Sequence, residues 1–187
     1  MMEILRKLYV FLLDSVQTFL IAAAIFLVIY LFLFRPYKVE GTSMYPNFYD
    51  QEYVLTNLIV LRFQTPKLGD VIVFKAPPEP EKDYIKRVIG VTGDTVSLRN
   101  GDVYLNGKLL DEGKFLKPTV RTFPGAFLKD SDEITVPNDE YFVMGDNRSA
   151  SSDSREWGFV KKDEVIGESM FVYLPLTRMR LVKNPYN

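Results

Sequence analysis

From Ser15 to Phe34 the chain reads SVQTFLIAAAIFLVIYLFLF, twenty residues without a charge. At 1.5 Å rise per residue a helix of that length covers about 30 Å, the thickness of a bilayer's hydrocarbon core. Backbone polar groups in lipid must be bonded within the segment, so a single span of this size has only the α-helix open to it. A cleaved secretory leader has a shorter apolar stretch and leaves through small residues. Here the exit is Arg35-Pro36-Tyr37-Lys38, bulky and basic, so the run is expected to remain as an anchor. Tyr30, Phe32, Phe34 and Tyr37 would supply an aromatic belt at that end. The competing reading is the buried helix of a soluble protein. Arg6 and Lys7 precede the run, and Arg35 and Lys38 follow it. That near tie in basic residues leaves the orientation open.

The roughly 150 residues beyond the run suffice for one domain with a sizeable core, with room for a small lobe. A net charge of −1 argues against a dedicated nucleic-acid binder. Short apolar runs such as Tyr53–Leu55, Val71–Phe74, Tyr141–Met144 and Phe171–Leu174 are bounded by Gly, Pro, Asp and Asn. They predict strands. Asp94 to Leu110 carries two Asn-Gly pairs between alternating segments. That dipeptide predicts tight hairpins, because both central residues of a type I′ turn need positive φ. Ala76 to Asp83 is proline-rich and charged, and reads as a surface loop. Residues 111–133 read as irregular decoration, and Arg178 to Lys183 as a mildly basic, solvated tail that could touch lipid headgroups. No long amphipathic helix, internal repeat or Gly-rich phosphate loop follows residue 40.

The chain has no histidine and no cysteine. It therefore has no Ser-His-Asp triad, thiol nucleophile or Cys-based zinc site. A catalytic serine here would need a carboxylate, an α-amine or a lysine as base. Ser43, in Gly41-Thr42-Ser43-Met44-Tyr45-Pro46, follows the apolar run by nine residues. Even a fully extended chain keeps it within about 30 Å of the helix end, so it can act only at the bilayer surface. Taken alone, a serine between Gly and Pro reads as an ordinary turn. Lys86 lies in Tyr84-Ile85-Lys86-Arg87-Val88-Ile89, an expected strand with apolar neighbours. The bland reading is a rim lysine that snorkels to water. The catalytic reading needs a neutral amine, its pKa brought from about 10.4 to 7–8 chiefly by burial. Arg87 alternates to the other face of the strand and is the weaker lever. A third segment, Met144 to Gly158, is dense in side-chain hydrogen bonders and holds the lone tryptophan. Its carboxylates do not fall at calcium-loop positions. A loop made rigid by Asp–Arg pairs and presenting hydroxyls fits better.

In this order after an anchor, GTSMYP (41–46), GDVIVF (69–74), YIKRVIGVTGDTV (84–96) and GDNRSASSDSREWGFV (145–160) resemble bacterial type I signal peptidases. Each motif is weak alone; four in register across nearly the whole chain are specific. The resemblance implies that Ser43 is the nucleophile and Lys86 the general base of a Ser-Lys dyad. It implies that Ser151 orients the lysine amine and that Asp146 and Arg87 form a buried supporting pair. Gly145, Asn147, Asp153 and Arg155 match the framework of the last motif. The implied fold is mostly β: an antiparallel catalytic core at 35–98 and 138–187, an inserted smaller lobe at 99–137, and a single N-terminal transmembrane helix within 1–34. The implied activity is removal of signal peptides from exported preproteins after small residues at −1 and −3, with no cofactor and no metal. The catalytic domain would lie outside the cytoplasmic membrane. Expected partners are the preprotein's signal peptide and membrane lipid; contact with secretion machinery is not indicated by the sequence. Val39, Met44, Tyr84 and Ile85 are the local candidates for shallow substrate pockets.

One departure concerns the oxyanion. Some members carry a serine two residues before the nucleophile, where this chain has Gly41. The Ser43 backbone N–H is then the expected donor. A missing donor can matter by about 2.7–4 kcal/mol. The rival readings are an inactive membrane-anchored binding module of the same fold and a self-cleaving Ser-Lys regulator. The chain keeps both dyad residues, against the first, and has no DNA-binding or partner segment within residues 1–40, against the second.

Overall fold

A computed structural model describes residues 2–187. Helix α1 runs Met2–Leu33, starting well before the uncharged run and ending one residue short of it. Phe34 instead opens strand β1 (Phe34–Lys38), where Arg35-Pro36 pairs with the next strand rather than extending the helix. Proline lacks the N–H a helix would need and disfavours helical backbone in the residue before it. Met2–Val28 is long and apolar enough to cross a membrane, and none of its most apolar stretch is buried inside the protein. That excludes the buried core helix.

The strands are β2 (Tyr53–Asn57), β3 (Val71–Ala76), β4 (Glu79–Gly90), β5 (Thr95–Arg99), β6 (Asp102–Leu105), β7 (Lys108–Leu109), β8 (Glu133–Thr135), β9 (Glu140–Met144), β10 (Val160–Lys161), β11 (Val165–Leu174) and β12 (Arg180–Leu181). An antiparallel sheet runs β1-β2-β11-β3-β4-β9-β10, with β12 paired to β11. The smaller sheet, β7-β6-β5-β8, is built from residues between 95 and 135. Both Asn-Gly pairs turn as expected. Asn100 and Gly101 have φ of 53° and 83° between β5 and β6, and Asn106 and Gly107 have 53° and 74° between β6 and β7.

Two expectations are corrected. The stretch 76–83 is not a loop, because β3 and β4 form a hairpin that turns at Pro77-Pro78 and pairs Lys75 with Asp83. Pro80 is tolerated because it falls in the irregularity between the Ala76–Glu79 and Lys75–Asp83 pairs, where the register of β3 and β4 shifts. Residues 178–183 are not a free tail either: Arg180 and Leu181 pair with β11, and Arg180 reaches the buried Glu52.

The core explains why the sheets stay together. Ile89, Phe142 and Met144 of the larger sheet pack with Val96, Leu98 and Val103 of the smaller one in a single cluster. Each such side chain contributes about 1.5–3 kcal/mol when fully buried. Gly90 marks the crossing point, since a Cβ there would lie 2.8 Å from Val96 Cγ2. A second cluster joins Val39, Met44 and Phe48 to Val54, Val71 and Val172, and so packs the segment around Ser43 onto the sheet.

Candidate active site

Ser43 stands in a turn that is held at several points. Its carbonyl oxygen accepts from the Asn147 N–H at 2.9 Å, and the Thr42 carbonyl accepts from Asn147 Nδ2 at 3.1 Å. The Gly41 N–H donates to Asp50 Oδ1 at 2.7 Å. Gly41 has φ of 83°, a left-handed backbone that glycine adopts without penalty. Met44 then turns inward and is 1 % exposed.

Lys86 meets the serine from β4, and Nζ donates to Ser43 Oγ at 2.8 Å and to the Ile85 carbonyl at 2.9 Å. The residue is 4 % exposed and stands 5.0 Å from the centre of the Tyr84 ring. Burial lowers its pKa to about 8, against an opposing pull from Asp153 and Asp146. Desolvation wins because among the described residues no carboxylate comes within ion-pair distance of the amine. An amine at that pKa is substantially neutral in mildly alkaline water, as a base must be.

Around this contact the third sequence segment forms a frame. Arg87 Nε and Nη2 grip Asp146 Oδ1 and Oδ2 at 2.8 and 2.7 Å, and its Nη1 donates to the Gly69 carbonyl at 2.8 Å. Asp153 accepts from the Gly145 N–H at 3.0 Å and from Arg155 Nε and Nη2, both at 2.8 Å. Gly145 fits because no side chain could: a Cβ there would fall on Ser151 Oγ and 2.5 Å from the Ser43 carbonyl oxygen.

Ser151 differs from expectation. Its Oγ is buried without a hydrogen-bond partner, and the second acceptor of the Lys86 amine is the Ile85 carbonyl. The Ser43 N–H is likewise without a partner among the described residues, as an oxyanion donor at rest would be.

Ser43 and Lys86 open onto a cleft of about 440 Å³ whose walls include Val39, Val54, Val73, Tyr84 and Ile85. Three of the four expected pocket residues thus line it. Met44 does not, because its side chain is packed beneath with Phe48 and Val71. Ser152, singled out by nothing in the sequence, faces the same cleft. Sequence reasoning also missed Asn47, whose Nδ2 donates to Asp146 Oδ2 at 2.8 Å, and Arg148, which donates to Thr122 Oγ1 at 2.6 Å and pairs with Glu112.

No group of His, Cys, Asp or Glu among the described residues is arranged to hold a metal ion. The arrangement sets a hydroxyl on a depressed-pKa amine, with an N–H that no described residue accepts beside it and a cleft with both apolar and charged walls in front.

Comparison with known proteins adds the relatives. The family model for signal peptidase, peptidase S26, matches residues 12–174. Signal peptidase I S of Bacillus subtilis (strain 168) is 37 % identical over 172 residues, which is 90 % of this chain and 92 % of the relative. Signal peptidase IB of Staphylococcus aureus (strain MRSA252) is 34 % identical over 189 residues, 94 % of this chain and 96 % of that one. A solved structure of a signal peptidase I from Enterococcus faecalis V583 covers 56 % of this chain and 97 % of its own, at 31 % identity and a TM-score of 0.45.

Proposed function

The chain belongs to the signal peptidase family, peptidase S26, and on that premise we propose that it cuts signal peptides from preproteins with a Ser43–Lys86 dyad. The carrying observation is the 2.8 Å contact between Ser43 Oγ and a buried lysine that has no carboxylate partner among the described residues. In the working form the amine is neutral, with one lone pair and two N–H groups. The lone pair takes the Ser43 proton as Oγ attacks the scissile carbonyl carbon. One N–H is held by the Ile85 carbonyl. The unpartnered Ser151 Oγ is the acceptor we assign to the other.

Negative charge then develops on the substrate oxygen beside the Ser43 N–H. The Lys86 ammonium returns its proton to the leaving amine, the C–N bond breaks and an acyl-serine remains. Water attacks that ester with Lys86 again taking the proton, and as the ester C–O bond breaks the ammonium passes that proton to Ser43 Oγ, which restores the serine and the neutral amine. The lysine thus alternates between base and acid, which a pKa near the working pH favours.

The substrate reading rests on the cleft and the anchor. Val39, Val54, Val73 and Ile85 give apolar walls on which small side chains at −1 and −3 would rest. The Leu33 carbonyl accepts from the Leu58 N–H at 2.9 Å, which ties the helix end to the turn after β2. A signal peptide already in the bilayer would present its end at that level. We assign the helix to the cytoplasmic membrane with the β domain on the outer side, and the smaller sheet with its loops to an inserted lobe.

Cleavage of an exported preprotein in detergent, wild type against Ser43→Ala, tests the activity. Turnover by Ser43→Ala at the wild-type rate would remove the serine from the mechanism. Deleting residues 1–34 should spare cleavage of short peptides and weaken that of preproteins in vesicles. Equal loss on both substrates would count against an interfacial site.

A further inference from the structure

The strand farthest along the chain from Ser43 reaches the segment that follows it. Arg180 Nη1 and Nη2 grip Glu52 Oε1 and Oε2 at 2.8 and 2.7 Å, and Nη2 also donates to the Asn47 carbonyl oxygen. Glu52 is fully buried and accepts in addition from the Tyr49 N–H at 3.1 Å. The side chain of Asn47 continues the chain of contacts to Asp146, the carboxylate that Arg87 holds next to Lys86. The same tail packs against Gly69, whose carbonyl Arg87 holds. Asn184 Nδ2 donates to the Leu68 carbonyl at 2.8 Å and to Asp70 Oδ1 at 2.6 Å. It packs so closely over Gly69 that a Cβ there would meet Asn184 Oδ1 at 2.5 Å. The carbonyl of Gly69 is the third acceptor of Arg87.

We propose that Arg180 is a positioning residue for the reaction: through the Asn47 carbonyl it fixes the segment after Ser43 against the Asp146–Arg87 pair, and so sets the distance between serine and lysine. This rests on the dyad reading above. The segment from Ser43 to Asn47 is also held from beneath by Met44 in the core, at Asn47 by the Phe115 carbonyl, and at its front by Asn147, on the Ser43 and Thr42 carbonyls. At its back the contacts to Arg180 and Asp146 do the same, so the serine sits between two clamps. A guanidinium suits the rear clamp because its fork meets both carboxylate oxygens and still reaches a carbonyl; an ammonium is a single point charge.

The test separates positioning from charge balance. Arg180→Lys keeps a cation beside the buried Glu52 but loses the fork. On a short peptide in detergent, its kcat should fall by about 10–100-fold while KM is unchanged. The acid limb of kcat/KM should move up towards an ordinary lysine, since a displaced serine lets water reach the amine. Asn47→Ala, which leaves the Glu52 pair intact, should behave in the same way. If Arg180→Lys fails to fold, Arg180→Met with Glu52→Leu decides, since it removes the contact to the Asn47 carbonyl, which Asn47→Ala keeps, and leaves no buried carboxylate unpaired. A folded variant with wild-type kcat and an unmoved acid limb overturns the proposal, as does a loss that merely follows the unfolded fraction. Lys86→Ala is assayed beside them. If it retains turnover, the dyad reading falls; if it is dead while Arg180→Lys and Asn47→Ala are normal, only the positioning role falls.

Discussion

Lys86 and Arg87 are consecutive residues of one strand, each 4 % exposed, and their surroundings are opposite. Arg87 is met by both oxygens of Asp146 and by a carbonyl. Lys86 is met by a hydroxyl and a carbonyl, and by no carboxylate at ion-pair distance among the described residues. Burial of a cation is tolerable either when an anion comes with it or when the cation can shed its proton. Arginine in effect cannot shed it, and lysine can. The strand therefore carries on one side a permanent charge that ties the frame together, and on the other an amine that burial brings near neutrality.

Exchanging the two solutions is the severest way to break that contrast. Lys86→Arg places a group that stays protonated against Ser43, and Lys86→Ala removes the base. Either change, like Ser43→Ala, should lower kcat/KM on a peptide by at least about 10⁴-fold with the β signature in circular dichroism intact. On the other face the expected loss is stability. Asp146→Ala leaves the Arg87 guanidinium buried and unpaired, and should cost about 3–5 kcal/mol in urea unfolding. Replacing both partners, Arg87→Met with Asp146→Leu, should return much of that stability without returning activity. If Asp146→Ala unfolds like wild type, the pair is not what holds the frame.

The third test sharpens the lysine side through pH. With a folded pKa of about 8 against 10.5, the ammonium penalty is fully present below pH 8. It is relieved as pH rises to 10.5, because the unfolded chain binds more protons within that window. Stability of the wild type should rise across the window. Lys86→Met should lack that rise and be more stable at pH 7 by up to roughly 3 kcal/mol. The rate should climb through an acid limb near 8, following the neutral amine. A limb near 4 would assign the base to a carboxylate instead. The smallest effect is expected at the turn before the serine. Gly41→Ala meets no atom within 4 Å, so its cost should be only the left-handed backbone, about 1–2 kcal/mol. A larger loss would mean that the turn has less room than its surroundings indicate.

Much of the fold is legible in the amino-acid sequence, for reasons that particular residues make clear. The Asn-Gly turns at 100–101 and 106–107 are local decisions, since positive φ depends on the residues themselves. Pro77-Pro78 misleads because proline signals a turn without saying how short it is; pairing with β3 draws Glu79 to Asp83 into a strand. Glu52 carries an unused signal. It has the same parity as Val54 and Thr56, both buried in β2, so strand alternation points its carboxylate inward, where a cation has to meet it. Nothing nearby indicates that the cation is Arg180, 128 residues on. Ser151 marks a further limit: the resemblance implies its role, while its hydroxyl in the resting structure has no partner.

By itself the sequence determined the apolar helix, the β-rich domain, the absence of any histidine or thiol chemistry and the two residues that could replace it. Those follow from composition, period and motif, which act over a few residues. Only the tertiary structure decided that Lys86 is buried with no carboxylate at ion-pair distance among the described residues while Arg87 has one, that Met44 leaves the cleft for the core, and that Arg180 reaches Asn47. Each depends on which strands lie side by side. Burial and electrostatic environment are properties of the packed assembly, so they come into being only when distant segments meet.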